Sequence, residues 1–177
     1  MSIKGKINYL QLGRFSQYGE QTFRNQFEQK FDFFSFNGQL TKQLILGPRI
    51  IALDPSFIPK SGKSTYGRGQ YWSGTAKAVK WGLEICGVAV VDILNNTAFH
   101  LNAWQTPSAD ELHKKELNLL SYYGSLVIEN AAKFKEITEY IVADAYFSKK
   151  PFVDAVIEGK LHLISRLRDD SVLLYKY

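Results

Sequence analysis

Residues 50–68 read IIALDPSFIPKSGKSTYGR, and residues 140–144 read YIVAD. In each, a short β-branched, apolar run reaches a single aspartate. Such runs predict buried strands, and in open α/β sheets ligands bind outside the carboxyl ends of parallel strands. If the two strands are neighbours, Asp54 and Asp144 lie side by side at that edge. Two adjacent carboxylates repel unless a cation sits between them, and a hard oxygen-seeking ion, most simply Mg²⁺, relieves the conflict. The plainer alternative is that each aspartate caps the loop or helix that follows it.

The SGKST run within the first stretch resembles the end of a phosphate-binding loop. That loop has the form G-x-x-x-x-G-K-[ST] and opens directly into a helix. Here Phe57 stands where the first glycine belongs, and TYGRGQYWSG follows with Gly67, Gly69 and Gly74. This predicts a loop and no nucleotide cofactor.

The strands sit within a regular alternation. LEICGVAVVDIL (residues 83–94) and TAFHLNAWQT (97–106) flank Asn95-Asn96 and predict a hairpin. Ser108 and Glu111 form a capping-box pattern ahead of one long helix, whose apolar stripe is Leu120, Tyr123, Val127, Ala131 and Phe134. A helix over 148–160 follows YIVAD, with Pro151 in its first turn and Phe152, Val153, Val156 and Ile157 on one face. LHLISRLR (161–168) is the next strand, and Asp169-Asp170 is a turn before SVLLYKY. Strands alternating with helices predict an α/β fold with a mixed sheet.

Residues 1–47 differ. Phe23, Phe27 and Phe31 recur every four positions and predict one helical face after a Ser16 cap, while Asn37-Gly38 reads as a turn. Gly47-Pro48 marks the expected boundary between a helical N-terminal segment (1–47) and the α/β domain (48–177).

Composition narrows the function classes. The 177 residues are 45% apolar, enough for one sizeable core, and the single cysteine, Cys86, excludes a disulfide framework. No signal pattern and no membrane-length apolar run is present, so a soluble, cytoplasmic protein is expected. The net charge is +5, but Pro55 to Leu83 contains no Asp or Glu while holding Lys60, Lys63, Arg68, Lys77 and Lys80 among Tyr66, Tyr71, Trp72 and Trp81. Cations interleaved with aromatics suit a nucleic-acid backbone, or equally a solvated loop whose rings pack inward. His100, His113 and His162 show no metal-ligand spacing; His100 reads as a half-buried core residue within a strand, and Cys86 as strand packing.

The run ALDPSFIPKSGKSTYG, the segment VADAYFSKKPFVDAV and the strand LISRLRDDSVL together resemble bacterial insertion-sequence transposases with an Asp-Asp-Glu triad. They look closest to the cut-and-paste branch called the insertion-sequence family four group. YLQLGRFSQYGEQTFRNQFEQKFDFFSFN resembles the segment preceding the catalytic domain in such proteins. The resemblance implies a ribonuclease-H-like five-stranded sheet of order 3-2-1-4-5 with flanking helices. Its first and fourth strands are neighbours. It makes Asp54 and Asp144 the first two catalytic carboxylates, binding Mg²⁺ or Mn²⁺. It also implies nucleoid-associated action on double-stranded DNA at transposon ends and target, with a homodimer as one assembly. Lys60, Lys63, Arg68, Lys77, Lys80, Arg166 and Arg168 are the backbone-binding candidates. The family's third carboxylate is a Glu in a Tyr-x2-Arg-x3-Glu-x6-Lys signature after the fifth strand. No Glu follows that strand here, so the expectation is an incomplete catalytic domain, or a truncated DNA-binding inhibitor.

Overall fold

A computed structural model of the chain describes residues 5, 7–62 and 64–171. It divides into two compact units, Met1–Asp32 and Phe33–Tyr177. No helix among the described residues is long and apolar enough to cross a membrane.

The first unit holds two short helices, α1 (Tyr9–Arg14) and α2 (Glu20–Phe27). Asn8 caps α1 by accepting from the Gln11 amide at 2.9 Å. Tyr9 meets Phe27 edge to face at 5.3 Å, and the Arg24 guanidinium lies over the Tyr9 ring. The expected face of Phe23, Phe27 and Phe31 is cut short, because α2 ends at Phe27 and the Glu28 amide already turns back to Arg24. Gly19, not Ser16, occupies the N-cap.

The second unit opens with α3 (Phe33–Leu44), which runs straight through Asn37-Gly38 where a turn is expected. The pair is a packing contact instead. Asn37 donates from Nδ2 to the Leu101 carbonyl at 3.1 Å, and a Cβ on Gly38 would already lie 3.8 Å from the Leu101 side chain. That is an ordinary van der Waals distance, so Gly38 is packed beside Leu101 and Ile137 without the site requiring glycine.

That sheet contains β1 (Arg49–Pro59), β2 (Gly69–Ser73), β3 (Ala78–Asp92), β4 (Thr97–Gln105), β5 (Tyr140–Ala143) and β6 (His162–Ser165). The order is β2-β3-β1-β5-β6, with β4 also pairing β3. Pairs β1–β5 and β5–β6 are parallel, while β1–β3, β2–β3 and β3–β4 are antiparallel. The sheet is therefore mixed and six-stranded rather than five-stranded. The additional strand, β2, lies inside the stretch read as a glycine-rich loop: its five residues pair with Ala78–Gly82, which extend β3 well before the expected start.

Three further helices pack on this sheet. The expected single helix after Ser108 is two, α4 (Ala109–Lys114) and α5 (Leu119–Lys135). Glu116 takes a left-handed φ of 55° between them, and Asn118 starts α5 by accepting from the Ser121 amide. The capping box of Ser108 and Glu111 is present in full. Helix α6 (Lys150–Glu158) carries proline in its first turn and meets α5 closely, since a Cβ on Gly124 would stand 2.9 Å from that of Ala155.

The core follows the periodicities. Ile51 and Leu53 of β1, Cys86, Val88 and Val90 of β3, and Ile141 and Ala143 of β5 are buried at every second position. Against them lie Leu120, Tyr123, Val127, Ala131 and Phe134, the whole expected stripe of α5. On α6 the buried set is Phe152, Ala155 and Val156, whereas Ile157 is 65% exposed. Ile157 lies five positions past Phe152, which is about 500° of helical rotation and carries it off the buried stripe.

Candidate functional site at the β1–β5 edge

Strand β1 does not end at Asp54. It continues to Pro59 beside β3, while its pairing with β5 stops at Leu53 opposite Ala143. Asp54 thus stands where β1 loses one neighbour and becomes an edge strand. Pro55 and Pro59 follow, compatible with an open edge, because proline cannot supply a ladder N–H. One residue past the last parallel pair, Asp54 and Asp144 occupy adjacent positions on neighbouring strands. Strand spacing puts their backbones roughly 5 Å apart.

Each aspartate is exposed, but they are held differently. Asp144 caps the 3-10 turn Ala145–Phe147, accepting from the Tyr146 amide at 3.0 Å. Its carbonyl accepts from Ser165 Oγ at 2.8 Å, tying β6 to the same edge. The capping alternative is therefore real for Asp144, with its second carboxylate oxygen still available. The Asp54 carboxylate has no hydrogen-bond or ion-pair partner among the described residues, and the backbone of Asp54 continues the β1–β3 ladder opposite Gly87, so capping does not account for it.

A cleft of about 1340 Å³ opens beside Asp144, lined in part by Phe57, Tyr71, Lys80, Glu84, Thr106 and Tyr146. Glu84 is the residue that sequence reasoning missed. Its Oε1 accepts from Thr106 Oγ1 at 2.9 Å and from Tyr123 OH at 3.2 Å. Burial and the nearby Glu84 carboxylate push the Tyr123 phenol well above the usual tyrosine range, with its hydrogen-bond contact to the Thr106 hydroxyl partly offsetting them. Tyr146 is also raised, first by burial and then by Glu84 and Asp144. The available signal was that Glu84 is the first acid after the acid-free stretch.

Glu84 does not complete a triad with the aspartates. It pairs with Phe57, three positions along β1 from Asp54, so strand alternation sends the two carboxylates to opposite faces of the sheet. Among the described residues no group of three or more His, Cys, Asp or Glu could hold a metal ion. Asp54 and Asp144 fit a hard divalent cation in donor type, and their number suits partial coordination of one ion.

The basic candidates separate into three kinds. Lys60, Lys77 and Lys80 are exposed; Lys77 sits in the β2–β3 turn with φ of 48°, and Lys80 lines the cleft. Arg68 is braced, donating from Nε to the Lys60 carbonyl at 2.8 Å with its guanidinium 4.8 Å from the centre of Trp81. Arg166 and Arg168 lie past β6, not in it, and each is paired locally. Arg166 meets Asp169 at 3.5 Å, and Arg168 holds Asp170 through two bonds of 2.8 and 2.9 Å. Lys63 lies outside the described residues, as do residues 172–177 of the SVLLYKY run. Among the described residues nearby, the Thr65 amide donates to the Gly62 carbonyl and the Arg68 amide to that of Thr65, and β2 follows instead of a helix.

The remaining candidates behave as packing or turns, with one exception. Cys86 is fully buried, and burial pushes its thiol up to about 12. Asp92 accepts from the Leu94 and Asn95 amides and from Asn95 Nδ2, which shapes the hairpin where Asn96 adopts a φ of 51°. His100 is exposed on β4, not half-buried, because the register shift in β3–β4 falls between its pair and the next and leaves Leu101 as the inward residue. Comparison of the chain with protein-family models, with curated proteins and with solved structures returns no match.

Proposed function

We propose that this chain is part of the catalytic domain of an Asp-Asp-Glu transposase, with Asp54 and Asp144 as the first two carboxylates of the triad. The observation that carries the reading is the adjacency of those residues on parallel neighbours β1 and β5. Part of the strand pairing supports it too. The sheet path is β2-β3-β1-β5-β6, which differs from a five-stranded 3-2-1-4-5 order, but the β4–β3, β3–β1, β1–β5 and β5–β6 pairings within it are compatible with that connectivity. Arg166 and Arg168 emerge from β6 at the same edge, and Lys80 lines the cleft that opens beside Asp144.

A divalent metal at this edge would activate a water or a DNA 3′-hydroxyl and stabilise the leaving oxygen. Asp54 would offer an uncommitted carboxylate, and Asp144 the oxygen its cap leaves over. The lysines of the β1–β3 region would hold the phosphate backbone, whose affinity follows the number of cations engaged.

A second reading is favoured by one observation, the absence of a three-carboxylate group among the described residues. In that reading the chain binds DNA without cutting it. Electrophoretic mobility and nicking assays on supercoiled DNA separate the two. Both readings expect a complex that weakens steeply between roughly 50 and 200 mM salt. Mg²⁺-dependent nicking abolished by Asp54→Asn supports catalysis, and binding without nicking supports the second. Absence of any complex at 50 mM salt refutes both.

A further inference from the structure

The β2–β3 hairpin carries a surface that the metal edge does not use. Gln70 pairs with Trp81 and Trp72 with Val79, so these four side chains share one face. Their neighbours Tyr71 and Ser73 turn to the other face and are buried, while Trp72 is 59% exposed and Trp81 54%. Two half-open indoles on one short hairpin are a large apolar surface to leave in water. Around them the charge is of one sign. Arg68 stacks over Trp81 and is anchored to the Lys60 carbonyl, Lys77 projects from the hairpin turn, and no Asp or Glu occurs from Pro55 to Leu83.

The same face leads to the proposed site. Along β1 and β3 the register pairs are Ile58 with Leu83, Ser56 with Ile85 and Asp54 with Gly87. Strand alternation puts residues 81, 83, 85 and 87 of β3 on one face, together with 58, 56 and 54 of β1. Trp81 and Asp54 therefore stand on one continuous side of the sheet.

We infer that Trp72 and Trp81 form a stacking platform for unpaired nucleobases, holding a single-stranded DNA segment whose backbone is gripped by Arg68, Lys60 and Lys77 and which runs along β1 toward Asp54. Aromatic faces accept any base, and the flanking cations track the phosphates. The one-signed charge is what selects a nucleic acid over an apolar protein partner. The platform rests on the proposed DNA reading for the identity of its occupant and adds the strand state that is bound.

The test uses the whole chain with an oligothymidylate of about 12 nucleotides, within the usual site range for such surfaces, and a mixed-sequence duplex of equal length. Titration is followed by tryptophan quenching, to which the 8%-exposed Trp104 gives a constant background, and by anisotropy of a labelled strand. The single strand is expected to quench the fluorescence. Trp72→Ala and Trp81→Ala are each expected to weaken single-strand binding about five- to hundredfold, leaving duplex binding within about twofold. Trp→Phe at either position is expected to restore most of the loss, and circular dichroism checks that each variant folds.

Equal affinity for both forms, unchanged by either Trp→Ala, overturns the platform while leaving the DNA reading intact. No binding of either oligonucleotide overturns both. A wild-type dimer in sedimentation that becomes monomeric in Trp72→Ala or Trp81→Ala, with single-strand binding unchanged, also overturns it and assigns the face to a second copy of the chain.

Discussion

Asp54 and Asp144 follow Leu53 and Ala143, the last residues paired between parallel strands β1 and β5, and so stand on adjacent strands at the carboxyl end of the sheet. Ninety positions separate them in sequence, and β2, the β3–β4 hairpin, α4 and α5 lie in the interval. Only the parallel pairing brings them together. The two are not equivalent, since Asp144 already caps a 3-10 turn and Asp54 does not.

The exposed lysines and the paired arginines should respond differently in DNA binding. Each phosphate contact contributes about 0.9 to the slope of log K against log salt. Lys60→Gln and Lys77→Gln are expected to lower that slope by about one each. Arg166→Gln should lower it less, because Asp169 partly neutralises the guanidinium. Asp169→Asn and Asp170→Asn should strengthen binding, and mobility-shift titrations over a salt series check the set. A larger loss from Arg166→Gln than from Lys60→Gln contradicts the division.

Cys86 should be inert in the native protein. Its thiol is buried and held up to about 12, so almost no thiolate exists at pH 8. Aromatic disulfide reagents should label it only at the rate of unfolding and rapidly in denaturant. Fast native labelling would mean that the β1–β3 interior is open there.

Acid should loosen the molecule at two identified points. Asp92 is held below its ordinary 3.8 by hydrogen bonds from Asn95 and Leu94. Glu111 is held below 4.5 by its bonds from Ser108, with smaller help from Lys115 and Lys114. A carboxyl whose folded value is depressed binds protons more readily when unfolded, so its stabilisation is complete above the unfolded value. It is lost as pH falls through the folded value. The melting temperature should therefore drop below about pH 4.5, and less steeply in Asp92→Asn, which starts less stable at neutral pH. An identical acid slope in that variant contradicts this account.

Tyr123 joins the core to the cleft. Its ring is fully buried against Phe147 at 5.5 Å, and its hydroxyl reaches Glu84 and Thr106. Tyr123→Phe keeps the packing and removes the donor to a carboxylate. It should cost about 1.5–3 kcal/mol, the usual range for bonds to charged groups, seen as a lower urea midpoint at unchanged m-value. An unchanged midpoint would mean that Glu84 is satisfied without it.

Much of the second unit is legible in its sequence, for physical reasons that vary by element. The period-2 burial of Ile51 and Leu53, the helical stripe from Leu120 to Phe134, the capping box at Ser108 and the Asn95-Asn96 turn are all local signals, and each forms as expected. What escapes local reading is decided by a partner. Asn37-Gly38 reads as a turn until Leu101 comes to lie beside it. β2 has no apolar periodicity strong enough to announce a strand and forms because Ala78–Gly82 offers an edge. Glu84 gains its setting from Thr106 and Tyr123, 22 and 39 residues away. The aspartate pair lies between these cases: each strand is legible, while their adjacency depends on parallel pairing.

Manganese binding followed by electron paramagnetic resonance tests the central claim most directly, because it reads the two aspartates without requiring DNA or turnover. The account predicts one weakly held Mn²⁺ per chain, displaced by Mg²⁺ and lost in both Asp54→Asn and Asp144→Asn, with Glu84→Gln retaining it. Binding that survives Asp54→Asn, or wild-type protein that holds no Mn²⁺ at millimolar concentration, would contradict the assignment of Asp54 and Asp144 as a metal-binding pair.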